Sequence, residues 1–327
     1  MIFQGIDFHN VEEMEQCEKG YRIWRLPKWL REKMNDGIRN TTSRYSTGVE
    51  LRFVLKSDSA DIILRAESAA EASVAYIFRG SIQGGWQTSS VAIGTEETKI
   101  PVTKADNIEL LKKVTKQANL PFSPEVIRIV LPYNTCYFVG VEGEVEPPTA
   151  AQLPGKTYLA YGSSITHGSL ALAQPYSYAF RIAQKLKCDY LNFGFAGSAH
   201  LEAAMAEYIV SRKDWDFASL ELGINMVSSF SVEEFERRVA RFAEIFAGDS
   251  RKVFVTDIFG TMDDSSRPNT AKFREIVEKY AADRFIYTRG AEILNRPEFI
   301  SADGVHPSLE GVEEIVNHWS AVMERYL

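Results

Sequence analysis

The feature that most constrains this chain is a change of hydrophobic rhythm near residue 150. From about Gly48 to Val145 the apolar residues come in short β-branched and aromatic runs such as VELRFVLK, DIILRAE, SVAYIFRG, VIRIVL and TCYFVGVEGEV. Polar turns such as Lys56-Ser57-Asp58-Ser59 and Gly84-Gly85 separate several of them. Many short strands with little helical periodicity predict an antiparallel sandwich or barrel. Ile108 to Ala118 reads as a helical insertion, and WRLPKWLREKM suits either a short helix or a covering loop. The stretch from Glu146 to Gly155 holds three prolines and no periodic pattern, as a connector between compact units does. Beyond it, the strand-length runs TYLAY, CDYLNF, FASLEL, KVFVTDI and RFIYT alternate with segments of helical period. Their nearly continuous apolar character suits strands buried on both faces of a parallel sheet, so this half is expected to be a doubly wound α/β layer structure. Residues 1–148 and 149–327 are the expected domains.

A length of 327 residues suffices for two cores, and 45% hydrophobic with 25% charged residues is ordinary for a globular protein. Lysine and arginine number 37 against 44 acidic residues, a net charge of −7, which disfavours a general nucleic-acid binder. Cys17, Cys136 and Cys188 form no CxxC pair, so neither a disulfide framework nor a cysteine-rich zinc site is expected. No basic stretch followed by an apolar core opens the sequence, and no window is long and apolar enough for a membrane span. The expectation is a soluble, cytoplasmic protein; Asn40-Thr41-Thr42 is then an accidental glycosylation sequon.

Ligands of open parallel sheets sit beyond the carboxyl ends of the strands. Four segments lie there: Gly162 to Gly168, Asn192 to Ser198, Gly223 to Met226 and, before the last helix, Asp303 to Pro307. Serine ester hydrolysis needs a hydroxyl, a base, a carboxylate that orients the base, and donors for the oxyanion. Ser164 can be the nucleophile, His306 the base and Asp303 its partner, the last two emerging from one turn of backbone. The N–H groups of Ser164 and Gly197 and the side-chain amide of Asn225 can form the oxyanion hole. The lipase elbow G-x-S-x-G is absent, since Thr166 stands two residues after Ser164.

In these blocks the sequence resembles the SGNH hydrolases, or GDSL-type esterases. The matches, in family order, are Gly162-Ser163-Ser164, the N-x-G-x-x-G stretch from Asn192 to Gly197, Gly223-Ile224-Asn225 and Asp303-Gly304-Val305-His306. The resemblance implies a flavodoxin-like three-layer α/β/α fold and a metal-free Ser-His-Asp mechanism. Ser163 replaces the Asp of GDS, and Met226 the Asp that often follows the Asn; neither change removes a catalytic group. The first half, on W-R-L-P near Trp24 and its strand pattern, is similar to the jelly-roll-like sandwich preceding the catalytic domain in some carbohydrate-active SGNH esterases and related acyltransferases.

Alternative readings stand beside these. Ser164 and Asn225 are also turn and cap formers, and Asp303-x-x-His306 could cap the last helix. His167 and His200 lie near the expected mouth but read as partly exposed loop or helix-start residues. No fixed-spacing motif supports a metal site from His167, His200, Asp303 and His306, so no metal and no cofactor are expected. Trp24, Trp29, Trp86, Tyr133 and Tyr137 are read as core or domain-interface aromatics ahead of a sugar-stacking platform. Glu142, Glu144 and Glu146 read as a solvated strand end. The expected activity is removal of a short acyl group, acetyl above all, from a carbohydrate or similarly polar alcohol. An acyltransferase using the same residues, or a non-catalytic sugar-binding protein, is the alternative. The expected partner is a small-molecule or oligosaccharide ester, not nucleic acid or membrane, and homo-oligomerisation stays open.

Overall fold

The structure is a computed structural model that describes residues 1–69 and 73–327. The strands up to residue 146 are β1 (Ile2–Phe3), β2 (Ile6–His9), β3 (Glu13–Cys17), β4 (Gly20–Trp24), β5 (Glu50–Leu55), β6 (Ser59–Ala66), β7 (Val74–Arg79), β8 (Ile82–Gln83), β9 (Ser90–Ala92), β10 (Thr98–Thr103), β11 (Ile127–Val130), β12 (Cys136–Glu142) and β13 (Val145–Glu146). They form two antiparallel sheets. One has the order β1-β2-β5-β11-β7-β8, with β13 beside β5 and β9 beside β7; the other is β10-β6-β12-β4-β3. Alternation along β10 shows why they face each other: Ile100 and Val102 are buried while Lys99, Pro101 and Thr103 are exposed. The inward residues of both sheets, among them Phe8, Phe53 and Ile129 from one and Leu64, Ile100 and Phe138 from the other, share one apolar core. Helix α1 (Lys28–Arg31) and helix α2 (Asp36–Asn40) follow β4, and α3 (Ile108–Ala118) lies on the surface with no buried residue.

The second half has strands β14 (Thr157–Gly162), β15 (Asp189–Gly194), β16 (Phe217–Glu221), β17 (Lys252–Thr256) and β18 (Ile286–Thr288), all parallel in the order β15-β14-β16-β17-β18. Its helices are α4 (Ser164–His167), α5 (Tyr178–Lys185), α6 (Ala203–Ser211), α7 (Val232–Ala247), α8 (Thr270–Ala281), α9 (Gly290–Ile293) and α10 (Leu309–Glu324). Successive residues of β14 enter opposite cores. Leu159 and Tyr161 pack with α6, α7 and α8, whereas Tyr158 and Ala160 pack with α5 and α10. The sheet is therefore covered on both faces, and its strands are largely apolar. Because β15 and β16 leave β14 on opposite sides, the crevice above β14 is the topological switch point. Among the described residues no helix is long and apolar enough to cross a membrane.

The two halves interlock. Leu26, Leu30, Met34 and Ile38, from the segment that carries α1 and α2, complete the core on the α6 side of the parallel sheet. The sheet's edge strand β15 has its outward carbonyls capped by side chains from the first half. His9 Nε2 lies 2.6 Å from the Tyr190 oxygen, Asn10 Nδ2 3.1 Å from that of Asn192, and Arg25 donates to the oxygens of Asn192 and Gly194 at 2.8 and 3.1 Å. At the foot of the strand Arg52 forms a two-pronged pair with Asp189, both bonds 2.6 Å, while Arg52 and Arg128 both hold Glu50. All four side chains are buried. Burial raises the Glu50 pKa, but the two guanidiniums outweigh it and bring the value to about 2.

Arg52→Leu leaves the Asp189 carboxylate buried without its cation, and should lower the unfolding free energy by about 3–5 kcal/mol in urea titration. Lys99→Leu, which breaks an exposed pair with Glu142, should leave the midpoint unchanged. Asp257, just past β17, makes stability depend on pH. Burial pushes its pKa from 3.8 to about 6 against hydrogen bonds from Tyr287 and the Gly290 N–H. A raised folded-state value means its contribution is complete below pH 3.8 and is lost as pH rises through 6, on the order of 3 kcal/mol. Asp257→Asn should flatten stability across that window.

Candidate active site

Each expected site residue sits on a segment that leaves the parallel sheet at its carboxyl edge or precedes α10. Strand β14 ends at Gly162, and Ser163 caps α4 by accepting from the Ile165 N–H at 3.1 Å, which puts Ser164 at the first helical position. A residue there has no intrahelical acceptor for its N–H, and the Ser164 N–H is given none by the described residues. The acid and base come from a tight loop before α10. The Ser301 N–H bonds the His306 carbonyl at 2.8 Å, and the Gly304 N–H bonds that of Ser301 at 2.9 Å. The loop brings His306 Nε2 to 2.8 Å from Ser164 Oγ and His306 Nδ1 to 2.5 Å from Asp303 Oδ2.

Asp303 Oδ1 also accepts from the N–H groups of Val305 and His306 and from the Ser301 hydroxyl, at 2.9, 3.0 and 2.8 Å. Burial raises the pKa of this carboxyl, but these donors and the His306 ring outweigh it and hold it well below the usual carboxylate range. It therefore remains ionised opposite the imidazole. Gly197 has φ +66°, a left-handed conformation, and a Cβ there would meet open space. The glycine is required by backbone conformation, and its N–H donates to no described residue. Asn225 Oδ1 accepts from the Ala199 N–H at 3.2 Å, which fixes the amide so that its NH₂ is the group left to donate.

Two residues that the sequence reading left out of the site hold the turn that carries Ser164 in place. Asn192 Nδ2 donates to the Thr166 carbonyl at 2.9 Å, tying β15 to α4. Its neighbour Gly194 permits the contact, because a Cβ there would lie 2.2 Å from the His167 backbone nitrogen. On the other side Glu221 Oε2 accepts from the Ser163 N–H at 2.7 Å and the Thr166 hydroxyl at 3.1 Å. Burial raises the Glu221 pKa, opposed in part by those bonds, and its Oε1 has no hydrogen-bond partner among the described residues. The signal was present as an acidic residue inside the otherwise apolar run FASLEL.

Other expectations need correction. His167 is not partly exposed: it is fully buried, with ring centroids 4.5 Å from Tyr133 and 5.6 Å from Tyr45. Burial, then nearby Arg25, lower its pKa well below the ordinary value. His200 is half-buried against Phe230, its ring 5.0 Å away, and does not join Ser164. Of the aromatics read as core or domain interface, Trp29 meets Tyr208 and Tyr133 meets His167 across the two halves, and Trp86 is the one that departs. Trp24 and Tyr137 are buried, whereas Trp29 is half exposed and Trp86 is 97% exposed; a side chain so open contributes nothing to a core. Among the described residues no group of three or more His, Cys, Asp or Glu side chains could hold a metal ion.

The fold is shared with solved structures described as a GDSL-like lipase, a family two carbohydrate esterase and an acetyl xylan esterase. No protein-family model and no curated protein sequence matches the chain. Among solved structures it is similar to SsfX3, a salicylyl-acyltransferase from a tetracycline biosynthetic pathway, with TM-score 0.76 and 15% identity over 98% of this chain and 94% of that one. A structure assigned as a GDSL-like lipase from Bacteroides ovatus gives 0.60 and 15%, over 98% of each chain. A family two carbohydrate esterase from Cellvibrio japonicus gives 0.60 and 9%, over 99% of this chain and 95% of that one. The likeness thus spans both halves.

Glu221→Gln keeps an acceptor and should lower ester turnover only a few-fold, while Glu221→Leu leaves the Ser163 N–H and Thr166 hydroxyl unpaired and should lower kcat about a hundredfold. Hydrolysis of 4-nitrophenyl acetate, read alongside the melting temperature, checks this: equal kcat in both variants would mean that Glu221 does not position Ser164.

Proposed function

We propose that the protein is a serine esterase that removes a short acyl group, acetyl being the expected one, from a carbohydrate or other polar alcohol. The observation behind this reading is the hydrogen-bonded chain from Ser164 through His306 to Asp303, with spans of 2.8 and 2.5 Å. In the proposed reaction Ser164 Oγ attacks the acyl carbon while His306 Nε2 takes its proton. Asp303 keeps the imidazole in the Nδ1–H tautomer and faces the imidazolium that forms. The N–H groups of Ser164 and Gly197 and the amide of Asn225 receive the oxyanion. His306 then returns the proton to the leaving alcohol, and water, deprotonated by the same imidazole, hydrolyses the acyl-serine. Residues 1–148 are read as a jelly-roll-like accessory domain and residues 149–327 as the catalytic domain.

A second reading keeps the acyl-serine but discharges it to the hydroxyl of a metabolite. Its support is the likeness in fold, over nearly the whole chain, to an acyltransferase. Both readings need the same side chains, so the products must separate them: a hydrolase yields mostly free acid when an alcohol acceptor is added, an acyltransferase mostly new ester.

Ser164→Ala should lower 4-nitrophenyl acetate turnover by at least about a thousandfold with the fold intact, and should abolish labelling by a fluorophosphonate, read from intact mass. Undiminished turnover, or labelling elsewhere, would overturn the assignment.

A further inference from the structure

A cavity of about 560 Å³ opens beside His306 and takes no part in the chemistry described so far. Three parts of the chain wall it. The sandwich contributes Tyr76 of β7 and Pro132 after β11, the loop after α4 contributes Leu170 and Leu172, and the loop that bears His306 contributes Ser308 and Leu309. The cavity adjoins the triad residues through their hydrogen-bonded neighbours. Gly168, on its wall, bonds the Ser164 carbonyl through its N–H at 3.0 Å, and Ser301, also on its wall, bonds both His306 and Asp303. No charged side chain is among its described lining residues.

The two leucines are unusual. Leu170 and Leu172 have φ of 59° and 57°, a left-handed conformation unfavourable for a side chain with a Cβ. They are nonetheless 54% and 78% exposed, so no burial in the folded chain offsets that conformation. Strained, exposed apolar side chains at the rim of a site mark contact with a ligand body.

The side of the site on which the cavity lies identifies what enters it. Neither Gly197 nor Asn225 lines it, so it is not on the oxyanion side. His306 Nε2 must hand its proton to the leaving oxygen, which places the alcohol on the histidine's side. We propose that this cavity is the alcohol subsite and that it selects a neutral alcohol with an apolar, ring-sized body, such as an aryl or fused-ring alcohol, over an unsubstituted oligosaccharide. Pockets of this volume, lined by aliphatic and aromatic side chains with a few rim hydroxyls, bind such bodies. The proposal rests on the esterase reading for its orientation and replaces the carbohydrate of that reading with an alcohol of apolar body.

The test compares two acetate esters of primary alcohols, so that leaving-group basicity differs little: 2-naphthylmethyl acetate and ethyl acetate. The expected kcat/KM favours the naphthylmethyl ester by about a hundredfold. Leu172→Asn suits the test because asparagine tolerates the left-handed conformation and the leucine is largely exposed. It should lower kcat/KM for the naphthylmethyl ester about tenfold and that for ethyl acetate by a clearly smaller factor. Calorimetric titration with 2-naphthylmethanol and with xylobiose gives a readout independent of turnover. The intact protein should bind the first and not the second, and Leu172→Asn should weaken that binding about tenfold. Comparable kcat/KM for the two esters, or binding of naphthylmethanol that Leu172→Asn does not change, would overturn the subsite. A protein that binds naphthylmethanol through Leu172 yet turns over no ester would instead retain the cavity and overturn the esterase reading.

Discussion

The structure depends on how the free edge of β15 is closed. An edge strand presents unpaired backbone groups, which in a buried position must find partners. Here the outward carbonyls of Tyr190, Asn192 and Gly194, every second residue, are met by His9, Asn10 and Arg25 rather than by another strand. Arg25 is committed further, to the carbonyls of Thr42 and Tyr45, so one buried guanidinium joins the N-terminal segment to the tip of β15. The Arg52–Asp189 pair anchors the opposite end of the same strand. Desolvating these charges is costly, and what they supply is a defined register between two units that apolar contact alone would leave free to slide.

That register reaches Ser164. Gly162 at the end of β14 pairs in the sheet with Gly194 at the end of β15, so the turn bearing Ser164 starts level with the tip that Arg25 holds. Asn192 grips the turn from β15 and Glu221 grips it from β16, one on each side of β14. The Ser164 hydroxyl is therefore placed by three neighbouring strands, and the first of these is itself placed by the sandwich. Loss of the N-terminal half would do more than remove an accessory surface, because it would uncover the β15 carbonyls and the Leu26–Ile38 side of the core.

The second half was the more legible from sequence. Strands buried on both faces leave continuous apolar runs, and two residues between Asp303 and His306 suffice to place both side chains on one small loop. The site residues stood out because they follow strands, where polar groups have no packing role to explain them. The clamp on β15 was not legible, since Arg25, Arg52, His9 and Asn10 look like ordinary polar residues until the sheet edge 137 to 182 positions away is known. The same blindness to long-range contact misplaced His167, which follows a nucleophile motif at the expected mouth yet is enclosed by Tyr45 and Tyr133 from the other half. Trp86 failed in the opposite direction: residue type suggested burial, and no strand covers its loop.

Two carboxyl groups near the same hydroxyl are shifted in opposite directions. Asp303 is largely open to solvent but receives three donors besides the imidazole, and hydrogen bonding holds it ionised. Glu221 is sealed beneath the turn with one oxygen unpartnered among the described residues, and burial favours its neutral form. Environments that drive neighbouring acids apart in this way assign them different tasks. In the proposed mechanism the charge that faces the imidazolium is supplied by Asp303 alone, while Glu221 acts through geometry, as an acceptor that fixes Ser163 and Thr166. An ionised Glu221 would place a second negative charge beneath the developing oxyanion and oppose the donors at Ser164, Gly197 and Asn225. Burial, which raises the Glu221 pKa, works against that charge.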